Sequence, residues 1–227
     1  MKRSGKIGVV AAAVAVTASV LFGSGAGNAA DRAFPDSVDT SKRYLFYMHG
    51  NIVEKIGPHK QYQYYQILDR LERGGVVVVG EARGETRMSD YAATVADQVR
   101  RLVAAGVPPG NITVAGHSKG GLMSLMVASM IGEPEVRYGA LAACGLPGDK
   151  FFKPYRMFID GMAATMKGVF LVMWEESDTD AGACDDAMAV AGAAFRNTVL
   201  TVGEGHQLFY RPAESWITPL LDFANGT

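Results

Sequence analysis

The segment Gly-His-Ser-Lys-Gly-Gly at residues 116–121 constrains the fold more than any other part of the sequence. A run of β-forming residues at 111–115 leads into it, and an apolar, helix-forming run at 122–131 leads out. In a strand-turn-helix unit of this kind, the residues two before and two after the serine pack so closely that a Cβ atom would clash, so both are glycine. The serine takes a strained backbone conformation that lifts its hydroxyl above the sheet. The pattern therefore predicts a nucleophile elbow at Ser118.

Two other interpretations of this segment compete with the elbow. Because Gly-x-Ser-x-Gly also occurs by accident, the segment could be a plain glycine-rich turn that happens to contain a serine. A phosphate-binding loop is excluded, because Gly-x-x-x-x-Gly-Lys-Ser/Thr cannot be written across this stretch. The flanking strand and helix, together with a suitable histidine further along the chain, favour the elbow over the accidental motif.

The size and composition of the chain fit one globular domain preceded by a leader. Its 227 residues are 48% hydrophobic, which supports a sizeable core. A formal net charge of -1, without a basic stripe, argues against a nucleic-acid partner. The two cysteines, Cys144 and Cys184, are too few for a disulfide scaffold or a zinc site, so no metal is expected.

Residues 1–30 have the features of a secretory signal peptide. A cationic start is followed by an apolar run at 7–23 and then by small residues. An uncleaved membrane anchor is the alternative, since the apolar run is nearly long enough to span a bilayer. Alanine and glycine predominate where an anchor would carry leucine and isoleucine, so export and cleavage are favoured. We expect a secreted or periplasmic mature domain at residues 31–227, with no membrane association after cleavage.

Short, continuous apolar runs alternate with helix-forming segments along the mature chain. The predicted strands are residues 44–48, 76–79, 111–115, 136–143, 169–174 and 198–202. The predicted helices are residues 61–73, 89–105, 122–131, 149–167, 184–196 and 212–223, whereas residues 51–60 are predicted to form a loop. This alternation predicts an α/β fold with helices on both faces of a parallel sheet.

A serine nucleophile needs a base, and the chain has four histidines. His49 follows the first predicted strand and fits a turn residue, His59 fits a surface residue, and His117 fits a packing residue within the elbow. His206 lies in a glycine-rich loop between the last predicted strand and the last helix. Such a loop opens over the carboxyl ends of the strands, where ligands bind in open α/β sheets. His206 is therefore the predicted base.

The acid that orients this histidine is expected in the loop after the strand at residues 169–174. Asp178 is preferred, because the chain should turn over the sheet edge a few residues beyond that strand. Asp180 is the alternative, and Asp149, after an earlier strand, is a more distant candidate. The remaining acids of the loop are expected to be solvated charges, among them Glu175.

The order Ser118, Asp178, His206 resembles that of the α/β-hydrolase superfamily. The likeness extends over nearly all of the mature chain and includes the His-Gly turn at residues 49–50, and several bacterial hydrolases of undefined substrate are similar in the longer pattern His-Gly-x-Ile-x-Glu. The resemblance implies the α/β-hydrolase fold with a sheet reduced to about six strands, because residues 31–42 are too short for the usual first two. It also implies a minimal cap.

By the same resemblance, an oxyanion hole would be formed by two backbone N–H groups. One belongs to Lys119, and the other to Asn51, with Ile52 as the alternative. In this scheme the protein is a secreted serine hydrolase that cleaves carboxylic esters through an acyl-enzyme intermediate. Its partner is a small-molecule acyl substrate, and the mechanism requires no metal and no cofactor. Arg83 and Arg87 could bind an anionic group of the substrate, although their interpretation as solvated loop charges is favoured.

The sequence is also compatible with other functions. A thioesterase or a peptidase would use the same three side chains. A protein of a different class, a catalytically inactive hydrolase-fold binding protein, would share the fold without turnover, although such a protein has no need of the intact serine and histidine.

The two cysteines are expected to form a disulfide. Cys144 ends one predicted strand and Cys184 follows the next, so both lie at the same sheet edge. Neighbouring strands are about 5 Å apart, which is within reach of disulfide geometry. In an exported protein we expect the bridge, which would hold the loop that carries Asp178. Two buried free thiols are the alternative.

Overall fold

The computed structural model describes Met1 and residues 30–227. Residues 2–29 of the predicted signal peptide at residues 1–30 therefore lie outside the described residues. Six parallel strands form the main sheet in the order β2-β1-β3-β4-β6-β8, and a two-stranded antiparallel ribbon joins β5 to β7. The strands are β1 Tyr44–Met48, β2 Val77–Val79, β3 Ile112–His117, β4 Arg137–Leu141, β5 Cys144–Gly145, β6 Val169–Glu175, β7 Ala181–Gly182 and β8 Phe195–Leu200.

Helices cover both faces of this sheet. They are α1 Asn51–Ile56, α2 Tyr64–Glu72, α3 Met88–Ala104, α4 Lys119–Ile131, α5 Phe152–Gly161, α6 Asp185–Ala191 and α7 Glu214–Asn225, with short 3₁₀ turns at Pro109–Asn111, Ala163–Thr165 and Gly205–Tyr210. Apolar residues of α3, α4, α5 and α6 pack on one face, and those of α1, α2 and α7 on the other. The predicted parallel sheet of about six strands, with helices on both sides, is confirmed.

The alternation of side chains along the strands explains why there are two cores. Tyr44, Phe46 and Met48 of β1 belong to the core under α3 and α4, whereas Leu45 and Tyr47 belong to the core under α2 and α7. Successive side chains of a strand point to opposite faces, so a strand buried on both faces has to be apolar throughout. This is why β1 appears in the sequence as a continuous apolar run.

The prediction of a loop at residues 51–60 is wrong for the first half of this segment. Residues Asn51–Ile56 form α1, which begins directly after Gly50 and ends at Gly57, a glycine with φ of 87°. Six residues are too few to show a helical repeat of apolar positions in the sequence. The structure thereby turns a predicted loop into a helix whose first turn faces the elbow.

Two further boundaries differ from the sequence prediction. The predicted strand at residues 136–143 is divided into β4 and β5, because Ala142 takes a positive φ of 44° between them. The predicted helix at 184–196 ends at Ala191, where Gly192 adopts the left-handed conformation, and Phe195 then begins β8. The last strand consequently starts three residues before its predicted position at 198–202.

The parallel arrangement brings four chain segments to one edge of the sheet. The carboxyl ends of β1, β3, β6 and β8 lead into α1, the elbow, the loop with Asp178 and the turn with His206, respectively. In the part of the chain that the structure describes, no helix is both long and apolar enough to cross a membrane.

Candidate active site

Ser118 occupies a sharp turn between β3 and α4. Its φ of 55° and ψ of -118° lie outside the regions that residues with side chains normally adopt. A Cβ atom on Gly116 would lie 2.5 Å from the carbonyl oxygen of Gly120, and one on Gly120 would lie 2.1 Å from the carbonyl oxygen of Met48. Both distances are far below van der Waals contact. The turn therefore requires glycine on both sides of the serine, as the sequence pattern predicts.

His206 and Asp178 meet above the same edge of the sheet. The imidazole Nδ1 lies 2.8 Å from Asp178 Oδ2, and the Asp178 side chain is 0% exposed. The other carboxylate oxygen, Oδ1, accepts the backbone N–H groups of Asp180 and Ala181 at 2.8 and 3.2 Å. Within the described residues, His206 contacts neither Asp180 nor Asp149 through a hydrogen bond, and the Asp149 carboxylate accepts the N–H of Phe151 instead.

Ser118 and His206 line one cavity of about 130 Å³. The start of α1 lines one side of the cavity with Asn51 and Ile52, and the chain after β4 lines another with Ala142 and Gly145. Phe151 and Tyr210 also line the cavity. The sequence separates the two chemical groups by almost ninety residues. The fold brings them to one small opening.

The first turns of two helices border this cavity. Lys119 is the first residue of α4 and Asn51 the first of α1, and the N–H groups of a first helical turn have no partner within the helix. The turn before α1 runs close to the serine, because a Cβ atom on Gly50 would lie 3.4 Å from Ser118 Cβ. Partial positive charge from both helix ends is thus directed at the region beside the serine.

Solved structures with this architecture include several esterases. The esterase Est22 superposes with a TM-score of 0.57 at 15% identity, covering 85% of this chain and 74% of that one. SOBER1 of Arabidopsis thaliana gives a TM-score of 0.53 at 12% identity, covering 81% of this chain and 98% of that one. The truncated form of a carbohydrate esterase from gut microbiota gives 0.56 at 13% identity, covering 87% and 94%. The protein has the α/β-hydrolase fold. No protein-family model matches the sequence, and no curated protein matches it either.

Glu175 has a role in this α/β-hydrolase fold that the sequence did not suggest. Instead of being a solvated loop charge, it ends β6 and is 1% exposed. Its carboxylate accepts the hydroxyl and the N–H of Ser177, and the N–H groups of Gly203 and Gly205 at 2.8 and 2.9 Å. The hydrogen bond from the Ser177 hydroxyl, followed by that from Gly203, lowers the pKa of Glu175 to about 2. One carboxylate therefore joins the loop of Asp178 to the loop of His206.

The other histidines differ in their surroundings. His117 is fully buried beside His206, with 4.6 Å between the ring centroids, and its Nδ1 lies 3.4 Å from the Tyr62 hydroxyl. Burial, reinforced by the neighbouring His206, lowers the pKa of His117 well below its usual value. Burial and then the charge of Arg83 lower the pKa of His49 to about 3. Both rings are neutral at physiological pH, and His59 is exposed.

Arg83 is neither a solvated charge nor a group that faces the cavity. Its side chain is 3% exposed, its Nε lies 3.1 Å from Glu54 Oε1, and its Nη2 donates to the carbonyl oxygen of His49 at 2.6 Å. No sequence pattern indicates this burial, because the partner, Glu54, is distant from Arg83 along the chain. Arg87 is exposed.

One group of potential metal ligands coincides with the histidine and its acid. Single ligand atoms of Asp178, Asp180 and His206 lie within 4.8 Å of one another. Both carboxylate oxygens of Asp178 are already committed, one to the imidazole and the other to two backbone N–H groups. That hydrogen bonding fits the orientation of a histidine better than the binding of a cation.

Cys144 and Cys184 form a disulfide, with 5.4 Å between their Cα atoms. Cys144 lies in β5, whose partner strand β7 follows the loop that contains Asp178. The bridge joins this two-stranded ribbon to the start of α6. The expected pairing is thus present beside the loop that it was predicted to hold.

Proposed function

We propose that the protein is an exported serine hydrolase that cleaves carboxylic esters. One observation carries the proposal: a serine in a strained elbow and a histidine bonded to a buried carboxylate open into the same cavity. Similarity to structures named as esterases supports the reaction class, and the disulfide supports an oxidising compartment outside the cytoplasm.

In the first half of the proposed reaction, the Ser118 hydroxyl attacks the acyl carbonyl carbon. His206 accepts the hydroxyl proton on Nε2, while Asp178 fixes the Nδ1–H tautomer and stabilises the imidazolium. The N–H of Lys119 and that of Asn51, or of Ile52, stabilise the tetrahedral oxyanion. The imidazolium then gives its proton to the leaving alcohol, and an acyl-enzyme remains.

In the second half, water replaces the alcohol. His206 takes a proton from the water as it attacks the ester carbonyl of the acyl-enzyme, and the resulting tetrahedral intermediate collapses to a free acid and the Ser118 hydroxyl. The small cavity and the short cap segment around α5 favour short acyl groups over long buried chains. No step requires a metal or a cofactor.

Labelling by a fluorophosphonate probe tests this proposal. The probe phosphonylates an activated serine, so we expect the folded protein to be labelled and Ser118→Ala to be unlabelled. In a serine protease, loss of the nucleophile lowers kcat by a factor of about 10⁶. We expect Ser118→Ala to lower kcat for phenyl acetate hydrolysis by a comparable factor. Ser124→Ala is the matched control, because Ser124 is buried in α4 and bonds to the Gly139 carbonyl.

Absence of labelling in the folded wild-type protein would contradict the proposal and favour a hydrolase-fold protein that binds a ligand without turnover. Labelling without ester hydrolysis, combined with cleavage of thioesters or peptides, would keep the mechanism and change the substrate.

A further inference from the structure

Three buried charged side chains lie behind the candidate active site. Glu54 binds Arg83 through Oε1 and Lys119 through Oε2, the latter with 2.7 Å between oxygen and Nζ. The Glu54, Arg83 and Lys119 side chains are 0%, 3% and 8% exposed. Lys119 Nζ also donates to the carbonyl oxygen of Thr86 at 2.9 Å. We call these three residues the Glu54 cluster.

The Glu54 cluster connects the elements that carry the proposed oxyanion donors. Glu54 belongs to α1, whose first turn presents the N–H groups of Asn51 and Ile52. Lys119 begins α4 directly after the serine. Arg83 donates to the carbonyl oxygen of His49, two residues before α1 begins. The ion pair with Lys119 thus joins α1 to the start of α4, and the ion pair with Arg83 joins α1 to the chain that precedes it.

Stability alone does not account for such a cluster. Burying ion pairs costs several kcal/mol per ion in lost hydration, and apolar residues of similar volume often stabilise a protein as much or more. The cluster is also incompletely satisfied, since Arg83 Nη1 is buried without a hydrogen-bond partner among the described residues. What a rigid, bidentate carboxylate provides is a fixed spacing between the groups that it holds.

We propose that Glu54 is a positioning residue that sets the distance between the N–H of Lys119 and the N–H groups at the start of α1. The inference rests on the proposed function, since the spacing matters only if an oxyanion forms beside Ser118. Donors stabilise the transition state only when they are already 2.7–3.1 Å from the future oxyanion, and a misplacement of about 1 Å can cost 10²-fold in rate. The two cations and one anion of the cluster also leave net positive charge behind this position.

Glu54→Gln tests the proposal by separating substrate binding from transition-state stabilisation. The amide keeps the shape of the side chain and removes its charge. We expect kcat for phenyl acetate to fall about 10²–10³-fold, as when one oxyanion donor is lost, while KM changes less than about twofold. Phenylboronic acid forms a tetrahedral anion on the serine, so its inhibition constant should rise with the loss in kcat.

Glu85→Gln is the matched control for Glu54→Gln. Glu85 pairs with Lys55, also a residue of α1, but both side chains are exposed, at 76% and 50%. Exposed ion pairs contribute little, so kcat and boronate affinity should stay at the wild-type values. A Glu54→Gln protein that folds and keeps its kcat, or one in which only KM rises, overturns the proposal.

A second variant covers the case in which Glu54→Gln leaves two buried cations uncompensated and does not fold. Lys119→Met removes the contact with α4, retains the backbone N–H, and leaves Glu54 paired with Arg83. We expect it to fold and to lose at least tenfold in kcat and in boronate affinity; unchanged values overturn the proposal. A wild-type protein without ester hydrolysis or fluorophosphonate labelling refutes the proposed function, whereas an active wild type with active variants refutes only the role of Glu54.

Discussion

At the scale of single residues, Asp178 and Asp180 show how two neighbouring carboxylates can differ. The Asp178 side chain is fully buried, and each of its oxygens accepts at least one hydrogen bond, whereas Asp180 is exposed and contacts Asp178 through its backbone N–H. A buried carboxylate with fixed partners can hold an imidazole in one orientation, but an exposed one cannot do so reliably. Burial therefore distinguishes the two acids.

Asp178→Asn should lower kcat for phenyl acetate by about 10⁴, because the amide favours the wrong tautomer of the histidine, as in the best-studied serine protease. Asp180→Asn should change kcat less than about threefold. Measuring both variants side by side, with circular dichroism to establish folding, checks the assignment. If both substitutions lowered kcat only slightly and by the same factor, neither Asp178 nor Asp180 would be the acid that orients His206.

Glu175 leads to a prediction about pH. Its pKa is lowered from 4.5 to about 2 in the folded protein, so the folded state holds fewer protons than the unfolded state between these values. The stabilising contribution of Glu175 is thus fully present above the unfolded pKa and is lost as the pH falls from about 4.5 towards 2.

The glutamine of Glu175→Gln does not titrate. The free energy of unfolding of this variant should therefore be lower than that of the wild type at pH 7, and the difference should be smaller at pH 3. Urea unfolding at the two pH values measures it. The adjacent Glu176→Gln is the control, because Glu176 is exposed, and its difference from the wild type should be small at both. A gap between wild type and Glu175→Gln that is as large at pH 3 as at pH 7 would contradict the role of Glu175.

At the scale of secondary-structure elements, the elbow is defined by how closely α4 approaches β1 and β3. Gly120 and Gly121 bring α4 against the end of β1 and the chain after β4: a Cβ on Gly120 would meet Met48, and one on Gly121 would meet Ala143 at 2.7 Å. Backbone atoms cannot move aside as the end of a flexible side chain can. The position of the serine above the sheet thus depends on its neighbours being glycines, which have no side chain.

Gly120→Ala should destabilise the fold by about 3 kcal/mol or more, because the new methyl group overlaps a backbone carbonyl. Gly161→Ala is the same chemical change at the last residue of α5, where no atom of the described residues beyond the backbone of the same helix and the adjacent residues lies within 4 Å of the added Cβ. It should be neutral or stabilise slightly, since alanine favours a helix more than glycine does. Thermal unfolding of both variants tests the comparison, and equal melting temperatures would contradict it.

At the scale of the whole molecule, the disulfide connects two regions at the edge of the site. Cys144 and Cys184 are 40 residues apart in sequence, and the closed loop includes β6 and the Asp178 loop. Cross-linking a loop of this length limits the unfolded chain and stabilises the folded state by about 4 kcal/mol in the chain-entropy model.

Replacement of both cysteines by alanine should lower the melting temperature by about 10 °C, given 2–4 °C per kcal/mol for a protein of this size. Scanning calorimetry of the double variant and of the wild type with and without reductant measures the effect. The double variant itself should be insensitive to reductant. A reductant effect of equal size in the double variant would show that the bridge is not responsible.

The fold class and the elbow can be predicted from the sequence alone, and so can the candidates for the base and the acid. These follow from local rules: continuous apolar runs fit strands buried on both faces, and glycines flanking a serine fit a turn that excludes Cβ atoms. His206 could be chosen by its position after the last strand, and Asp178 could be preferred but not separated from Asp180. The pairing of the two cysteines followed from their places at one sheet edge.

The contacts between segments far apart along the chain become visible only in the folded structure. The carboxylate of Glu175 binds two loops, Glu54 binds two distant cations, and α1 replaces a predicted loop because it packs Val53 into the core beside the elbow. Hydrogen bonds and ion pairs of this kind leave no periodic signal, since their energy depends on burial and on geometry that exist only after folding. Periodicity and turn chemistry are local properties of a sequence, whereas burial of a charge is a property of the folded whole.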